Sequence, residues 1–109
     1  MNIIKPLAFT VSLFALIPTA YASDHMDGCY KYMAAGNFIA GSPLCTKAAE
    51  QGYANAQNNL GLMYYFAKGV PQDYKQAVIW YTKAAEQGDA DVQYNLGYIY
   101  NSGKGVTQD

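Results

Sequence analysis

Apolar residues recur at helical spacing in the second half of the chain. They fall at i, i+3, i+4, i+7 and i+8, as a stripe along one helix face: Ala77, Trp80, Tyr81, Ala84 and Ala85. Such a stripe predicts an amphipathic α-helix that buries this face. Asp73, just ahead of the stripe, is expected to cap the helix, with Gln76 three residues later as in a capping box. Gly88 stands where a left-handed C-terminal cap would lie.

A second helix is predicted ahead of this one, over about residues 54–66. Its apolar positions share the helical spacing: Ala56, Leu60, Met63 and Tyr64. Gly61 in its interior lowers helix stability, so it indicates the close approach of a neighbouring helix. Residues 68–72, Lys-Gly-Val-Pro-Gln, interrupt the helical pattern with glycine and proline and predict the turn of a helical hairpin.

This helix–turn–helix pattern repeats with a period of 36 residues. Sliding the chain by that period places residues 46–73 on residues 82–109, with 18 of 28 positions identical and no gap. A repeat of this length predicts helix pairs that stack on one another and bury a continuous core. The predicted fold class is therefore all-α, an α/α repeat solenoid of antiparallel helix pairs.

The repeated motif points to a family. Residues 54–64 read A-x-x-Q-x-x-L-G-x-x-Y, and residues 68–88 read K-G-V-P-Q-D-Y-x-x-A-x-x-W-Y-x-K-A-A-x-x-G. The combination resembles the Sel1-like repeat, a relative of the tetratricopeptide repeat. The resemblance implies a tetratricopeptide-like superhelix over residues 23–109, with one full repeat at 54–88 and a truncated repeat at 90–109. It also implies binding to a protein or peptide partner.

Residues 24–51 are expected to form a divergent first helix pair, with Gly36-Asn37-Phe38 as its turn. Pro43 leaves two interpretations of the second helix of this pair. A long helix could continue through the proline with a kink, because proline removes one hydrogen bond and clashes with the preceding turn. Alternatively, a shorter helix could start with Ser42 as its N-cap and Pro43 at its first position.

Two positions depart from the repeat pattern. Tyr53 stands where the later copy has Asp89, so the helix over residues 54–66 is expected to lack its usual N-cap. Ala67 occupies the position that Gly103 holds in the later copy, so only half of the glycine-x-glycine turn is present there. Both are local weaknesses within the same predicted fold.

The two cysteines are placed symmetrically about the first turn. Cys29 and Cys45 each lie eight residues from Asn37, so both thiols are expected at the same height on antiparallel helices. In an exported protein, cysteines so placed tend to pair as a disulfide. Two buried free thiols are the other interpretation, if Pro43 misaligns the helices. No metal site is expected, since two thiols and His25 fall short of four ligands.

The first 22 residues predict a cleavable signal peptide. Lys5 supplies a positive charge, residues 6–17 form a mostly apolar core, and residues 20–22 read Ala-Tyr-Ala. Cleavage is therefore expected between Ala22 and Ser23. A membrane anchor is the competing interpretation, but the apolar run is shorter than the roughly 20 residues a spanning helix needs. We expect an exported bacterial protein, periplasmic or secreted, without stable membrane insertion after cleavage.

Charge and chemistry narrow the function. The chain has 7 basic residues, all of them lysine, against 8 acidic ones, so it lacks the electrostatic footprint of a nucleic-acid-binding protein. No catalytic set is apparent: Glu50 and Glu86 are equivalent repeat positions, and the Ser-x-x-Lys and Lys-Thr-Gly strings of serine β-lactamases do not occur. We therefore predict no enzymatic activity and no cofactor.

The leading hypothesis is a secreted or periplasmic adaptor that binds a protein or peptide through its curved helical surface. Tyrosines on that surface would give contact area at low entropic cost, and Tyr65, Tyr94 and Tyr98 are the candidate partner-binding residues. One alternative is a secreted, cysteine-containing hydrolase of the β-lactamase-labelled Sel1-like branch. Another is a nonfunctional fragment of a longer repeat protein, because the sequence stops at Asp109, the counterpart of Asp73.

Overall fold

The computed structural model describes the backbone of residues 19–105 and the side chains from Asp24 onward. Within this part the chain forms five α-helices and no strand, which confirms the predicted all-α class. They are α1 Thr19–Ala34, α2 Phe38–Glu50, α3 Ala54–Phe66, α4 Tyr74–Ala85 and α5 Ala90–Ser102. Most of the predicted signal peptide, residues 1–18, and the last four residues lie outside the described residues. Cleavage between Ala22 and Ser23 stays a prediction.

Each helix packs chiefly against the helices before and after it in the chain. The result is a solenoid in which α1 pairs with α2, α3 pairs with α4, and α5 begins the next unit. α3 has the bounds predicted for it, and the turn after it lies at residues 67–73. The 36-residue period is thus visible in the structure as one helix pair per repeat.

The first helix pair resolves the question that Pro43 left open. Its turn carries Gly36 at a φ of +73°, and the side chain of Asn37 accepts a hydrogen bond from the N–H of Ala40 at 3.2 Å. α2 then runs without interruption through Pro43, so the longer helix is the correct interpretation and Ser42 is not its N-cap. The proline removes only the hydrogen bond to the carbonyl of Ile39, a residue that is 80% exposed and can be hydrated.

The ends of α4 largely follow the sequence. The N–H of Gln76 donates to the Asp73 carboxylate at 3.1 Å, and Gly88 lies in the left-handed region at a φ of +97°. The capping box is formed in one direction only, because the N–H of Asp73 donates to the carbonyl of Tyr64 at 3.0 Å instead. That bond ties the start of α4 back to α3 and closes the hairpin.

The two departures from the repeat pattern have local consequences. Tyr53 precedes α3 without any side-chain cap, whereas Asp89 accepts hydrogen bonds from the N–H groups of Asp91 and Val92 at the start of α5. Ala67 ends α3 in the left-handed conformation at a φ of +56°, which L side chains other than asparagine and aspartate rarely adopt. Gly103 ends α5 at a φ of +76° without that strain.

Two hydrophobic clusters run along the solenoid. The first lies between α1, α2 and α3 and contains the disulfide between Cys29 and Cys45, whose Cα atoms are 4.7 Å apart and whose side chains are fully buried. The second lies between α4 and α5 and is built on small and β-branched residues with one aromatic ring: Ala77, Tyr81, Ala84, Ala85, Val92 and Ile99. The bridge therefore joins the two helices of the divergent first pair.

Candidate protein-binding groove

A shallow groove separates α3 from α5, the first helices of two consecutive units, and α4 contributes one side chain to it. We call it the α3/α5 groove; it is lined by Leu62, Tyr65, Phe66, Tyr81, Asn95, Tyr98 and Ile99. The helices stand in this order because α4 packs against both α3 and α5. Residues far apart in sequence thus meet across the groove.

The size and chemistry of the groove favour side chains over a small-molecule ligand. Its volume is about 160 Å³, below the roughly 300–1,000 Å³ typical of small-molecule sites. Aromatic and aliphatic side chains dominate the lining, and the tyrosine hydroxyls and the Asn95 amide add hydrogen-bonding groups. Such a surface can take one or two side chains of a peptide or of a folded protein.

Two of the three predicted partner-binding tyrosines face each other here. Tyr98 of α5 is 63% exposed, and Tyr65 of α3 is half-buried. The ring of Tyr65 is held in place by Phe66 and Tyr74, whose ring centroids lie 4.9 Å and 5.1 Å from its own. Tyr65 therefore offers a fixed surface, whereas Tyr98 projects towards solvent.

The third candidate, Tyr94, lies beside the α3/α5 groove and not in it. It is 78% exposed and lines an open hollow on α5 together with Gly97, Tyr98 and Asn101. Tyr98 belongs to both depressions, so the two are continuous across α5. The structure thus brings Tyr65 and Tyr98 together and leaves Tyr94 one helical turn away.

A lysine stands next to the groove. The ammonium group of Lys104 lies 5.6 Å from the ring centroid of Tyr65 and 5.5 Å from that of Tyr74, within the range of a cation–π interaction. The previous unit repeats the contact, because Lys68 lies 4.9 Å from the ring of Phe38, the counterpart of Tyr74. Each Lys-Gly turn thus rests on the start of a neighbouring second helix.

Tyr81 is the most buried aromatic residue of the lining, at 4% exposure. Burial raises the pKa of its hydroxyl to about 12, and the nearby Tyr65 adds to the effect. Tyr81 is therefore a neutral phenol at physiological pH. It can donate and accept hydrogen bonds in the groove, but it does not supply a charge there.

The described residues hold no candidate metal centre. No group of three or more histidine, cysteine, aspartate and glutamate side chains among them is arranged to bind a metal ion. Both cysteines are in the disulfide. No helix in this part of the chain has the length and apolar character needed to cross a membrane.

Sequence reasoning missed most of the groove lining. It did not identify Leu62, Phe66, Tyr81, Asn95 or Ile99, nor the position of Lys104 beside the groove. The sequence did contain a signal for the two walls of the groove. Each wall is a triplet at i, i+3 and i+4 on the first helix of a repeat, at positions 62, 65 and 66 on α3 and at 95, 98 and 99 on α5. Superposing the repeats also places Leu62 on Tyr98, which marks one position as part of both groove walls.

Comparison with known proteins gives a consistent result. The sequence profile described as Sel1 repeat matches residues 44–53, 54–89 and 90–109, together more than half of the chain. The chain is similar to c5321, a protective antigen of uropathogenic Escherichia coli strains displaying an SLR fold, with 42% identity and a TM-score of 0.72 over 81% of this chain and 20% of that one. It is also similar to a Sel1 repeat protein of Oxalobacter formigenes, with 31% identity and a TM-score of 0.73 over 79% of this chain and 34% of that one.

The chain thus spans about a fifth and a third of the lengths of these two solved proteins. None of the curated proteins compared with the chain matches it.

Proposed function

The chain belongs to the Sel1 repeat family, whose members are generally protein-interaction modules, and on this premise we propose that it is an exported adaptor that binds a protein or peptide partner. The single observation that carries the proposal is the α3/α5 groove, with Tyr65 and Tyr98 on its two walls. Exposed tyrosine at a pre-formed depression is typical of the residues that dominate binding energy at protein interfaces.

We place the adaptor in the periplasm or outside the cell. The charge, apolar core and small-residue site of residues 1–22 support export. The Cys29–Cys45 disulfide supports an oxidising compartment, since such bridges are rare in the cytosol. The Sel1 repeat fold is typically a non-enzymatic scaffold, and we propose no catalytic role. The hydrolase and fragment alternatives stay hypotheses.

Site-specific crosslinking in the native host tests the binding function. A photoreactive phenylalanine analogue in place of Tyr98 is expected to capture a defined protein. That protein is then purified, and its affinity is measured for the native chain and for two variants, Tyr98→Ala and Tyr30→Ala. Tyr98→Ala should weaken its affinity at least tenfold, as for a tyrosine at the centre of an interface. Tyr30→Ala, on α1 and 46% exposed, is the matched control and should bind like the native chain.

Equal affinity of the two variants would contradict the assignment of the groove. Both tyrosines are exposed, so their removal should leave the melting temperature nearly unchanged, and circular dichroism checks this. The export proposal has its own test, the intact mass of the protein from its native host before and after reduction. Cleavage predicts a mature chain that begins at Ser23 and is two hydrogens lighter before reduction than after it, and a retained first segment would refute it.

A further inference from the structure

The rim of the α3/α5 groove carries a positive charge that no carboxylate of the described residues neutralises. The ammonium group of Lys104 rests against the rings of Tyr65 and Tyr74, and it forms no ion pair or hydrogen bond with any side chain or carbonyl that the structure describes. An ammonium group has three N–H donors, so a bound partner can use them. The rings keep water from one side of this ammonium, so its attraction to a carboxylate is stronger than in bulk water.

The backbone of the Lys-Gly turn places this lysine at the rim. Gly105 has a φ of +77°, and a Cβ atom added to it would lie 2.6 Å from the carbonyl oxygen of Tyr74, so glycine is needed for this close approach to the start of α4. Lys68, the counterpart of Lys104, is exposed and lies over the ring of Phe38 although another repeat follows it. An exposed ammonium is therefore a property of this turn inside the array as well as at its last described unit.

The local balance of charge at the start of α4 is positive. Lys75 follows Tyr74 and is exposed. The acidic residue beside them is Asp73, and its carboxylate accepts the N–H of Gln76 as the cap of α4. The groove lining itself contains no charged residue. Two lysines are too few to hold the row of phosphates of a nucleic acid, so a carboxylate is the group that this rim complements.

Asn95 adds a side-chain amide to the wall of the groove. Its counterpart Asn59 donates to the Sγ atom of Cys29 at 3.7 Å, so this position of the repeat faces the preceding unit. Asn95 likewise lines the groove towards α3, but its amide makes no hydrogen bond among the described residues. An amide has both donors and an acceptor, so Asn95 can bind the C=O and N–H groups of an extended peptide.

These groups together define the kind of partner that the groove fits. We propose that it binds an extended acidic segment of a partner protein, in which a leucine or aromatic side chain enters the groove and the carboxylate of an aspartate or glutamate pairs with Lys104. The ammonium lies 5.6 Å from the ring of Tyr65 in the groove wall, and alternate side chains of an extended chain share one face about 7 Å apart. The apolar and the acidic residue are therefore two positions apart. This inference rests on the proposed adaptor function and names the chemistry of its ligand.

A phage-displayed library of random peptides tests the pairing without a known partner. Clones are selected on the native chain, and those that Tyr98→Ala fails to retain are kept as groove binders. Their sequences should be enriched in an aspartate or glutamate two positions from a leucine or aromatic residue. One such peptide is synthesised with a blocked C-terminus, so that its carboxylate comes from the side chain alone, and its affinity is measured by fluorescence anisotropy.

Variants of the lysine then test the contact itself. Lys104→Met keeps the apolar stem and removes the charge, and it should weaken the peptide about fivefold, the upper end of the effect of an exposed ion pair. Lys104→Arg should keep the native affinity. Lys68→Met is the matched control, because it removes an equivalent lysine and its ring contact in the other Lys-Gly turn, and it should bind like the native chain. A peptide with glutamine in place of its acid should lose the same factor on the native chain and nothing further on Lys104→Met.

Several results would overturn the inference. Groove binders without an acidic residue would refute it and leave the adaptor function standing. An acid whose replacement weakens binding equally on the native chain and on Lys104→Met would show that another group holds it. A dimer that Tyr98→Ala dissociates in analytical ultracentrifugation would assign the groove to a second copy of this chain. A selection that yields no groove binders would contradict the adaptor function as well.

Discussion

Replacing Gly61 and Gly97 by alanine, one at a time, should change the free energy of unfolding in opposite directions. The two glycines occupy the same position of the repeat, inside α3 and α5 respectively. Alanine favours the helical conformation at both, because glycine in a helix interior costs about 0.5–1 kcal/mol relative to alanine. Their surroundings differ, however, since α4 covers Gly61, whereas no helix among residues 19–105 covers Gly97.

The magnitudes follow from the space around each Cβ atom. At Gly97 no atom of the described residues would lie within 4 Å of an added Cβ atom, so the gain of about 0.5–1 kcal/mol should be realised in full. At Gly61 the added carbon would stand 3.0, 3.1 and 3.1 Å from ring atoms of Tyr81. That ring is buried in the second hydrophobic cluster, and overpacking of this kind typically costs about 1–3 kcal/mol.

Gly61→Ala should therefore be destabilising by up to about 2 kcal/mol, after the helix propensity gain is subtracted. The two variants should differ from each other by about 1–3 kcal/mol. The comparison is informative because the substitution, the helix position and the change in side-chain volume are the same in both.

Urea denaturation with the disulfide intact provides the measurement. Circular dichroism and the fluorescence of Trp80 should give coincident transitions before either curve is fitted as two-state. A Gly61→Ala variant as stabilised as Gly97→Ala would show that the Tyr81 ring can move aside, and the close approach of α4 would no longer explain this glycine. A destabilised Gly97→Ala would show that its surroundings are not open in solution.

Three further changes test other parts of the structure. Replacing both Cys29 and Cys45 by alanine should lower the free energy of unfolding by about 3 kcal/mol, the value expected for a disulfide-closed loop of this size. Reduction of the native protein should have the same effect. Urea midpoints that stay unchanged would argue against the bridge. Ala67→Gly should stabilise the protein by about 1 kcal/mol, because glycine adopts the left-handed conformation at the end of α3 without strain. Gly103→Ala should destabilise it by a similar amount, because alanine would have to adopt that conformation at the end of α5. Thermal melts in which Gly103→Ala is the more stable variant would contradict the assigned turn geometry. The pKa of Tyr81 is raised from 10.0 to about 12, so its contribution to the free energy of unfolding is fully present below pH 10 and is lost as the pH rises from 10 through 12. Tyr81→Phe should therefore lose less stability over this pH range in urea titrations than the native protein does. An identical dependence of stability on pH in the two proteins would refute this prediction.

Helix positions and helix ends were predictable because they depend on neighbouring residues. The apolar stripe of α4, the cap at Asp73 and the left-handed Gly88 are all consequences of interactions within a few residues. The close approach at Gly61 was also predictable, since glycine inside a helix is unfavourable unless something requires it. The choice between the two forms of α2 was not predictable, because Pro43 is compatible with both. The cost of placing this proline inside the helix depends on whether the carbonyl of Ile39, which loses its hydrogen bond, meets water.

The candidate site could be predicted only in part. The abundance of tyrosine indicated an interaction surface, but the repeats also contain tyrosines that support the core, such as the buried Tyr81. Which ones share a groove depends on how α3 and α5 are spaced by the helix between them. Tyr65 and Tyr98 meet across that space, and Tyr94 does not, although nothing in their local sequence distinguishes them.

The amino-acid sequence by itself determined the 36-residue unit, its helical hairpin, the pairing expected of the two cysteines and the membership of a repeat family, because each depends on periodicity or on residues close in the chain. The tertiary structure alone decided that the Tyr81 ring covers Gly61, that no described side chain covers Gly97, and that Lys104 lies against the rings beside the groove. These contacts join residues 20 to 39 positions apart, and their distances are set by the packing of whole helices, which no local pattern of side chains specifies.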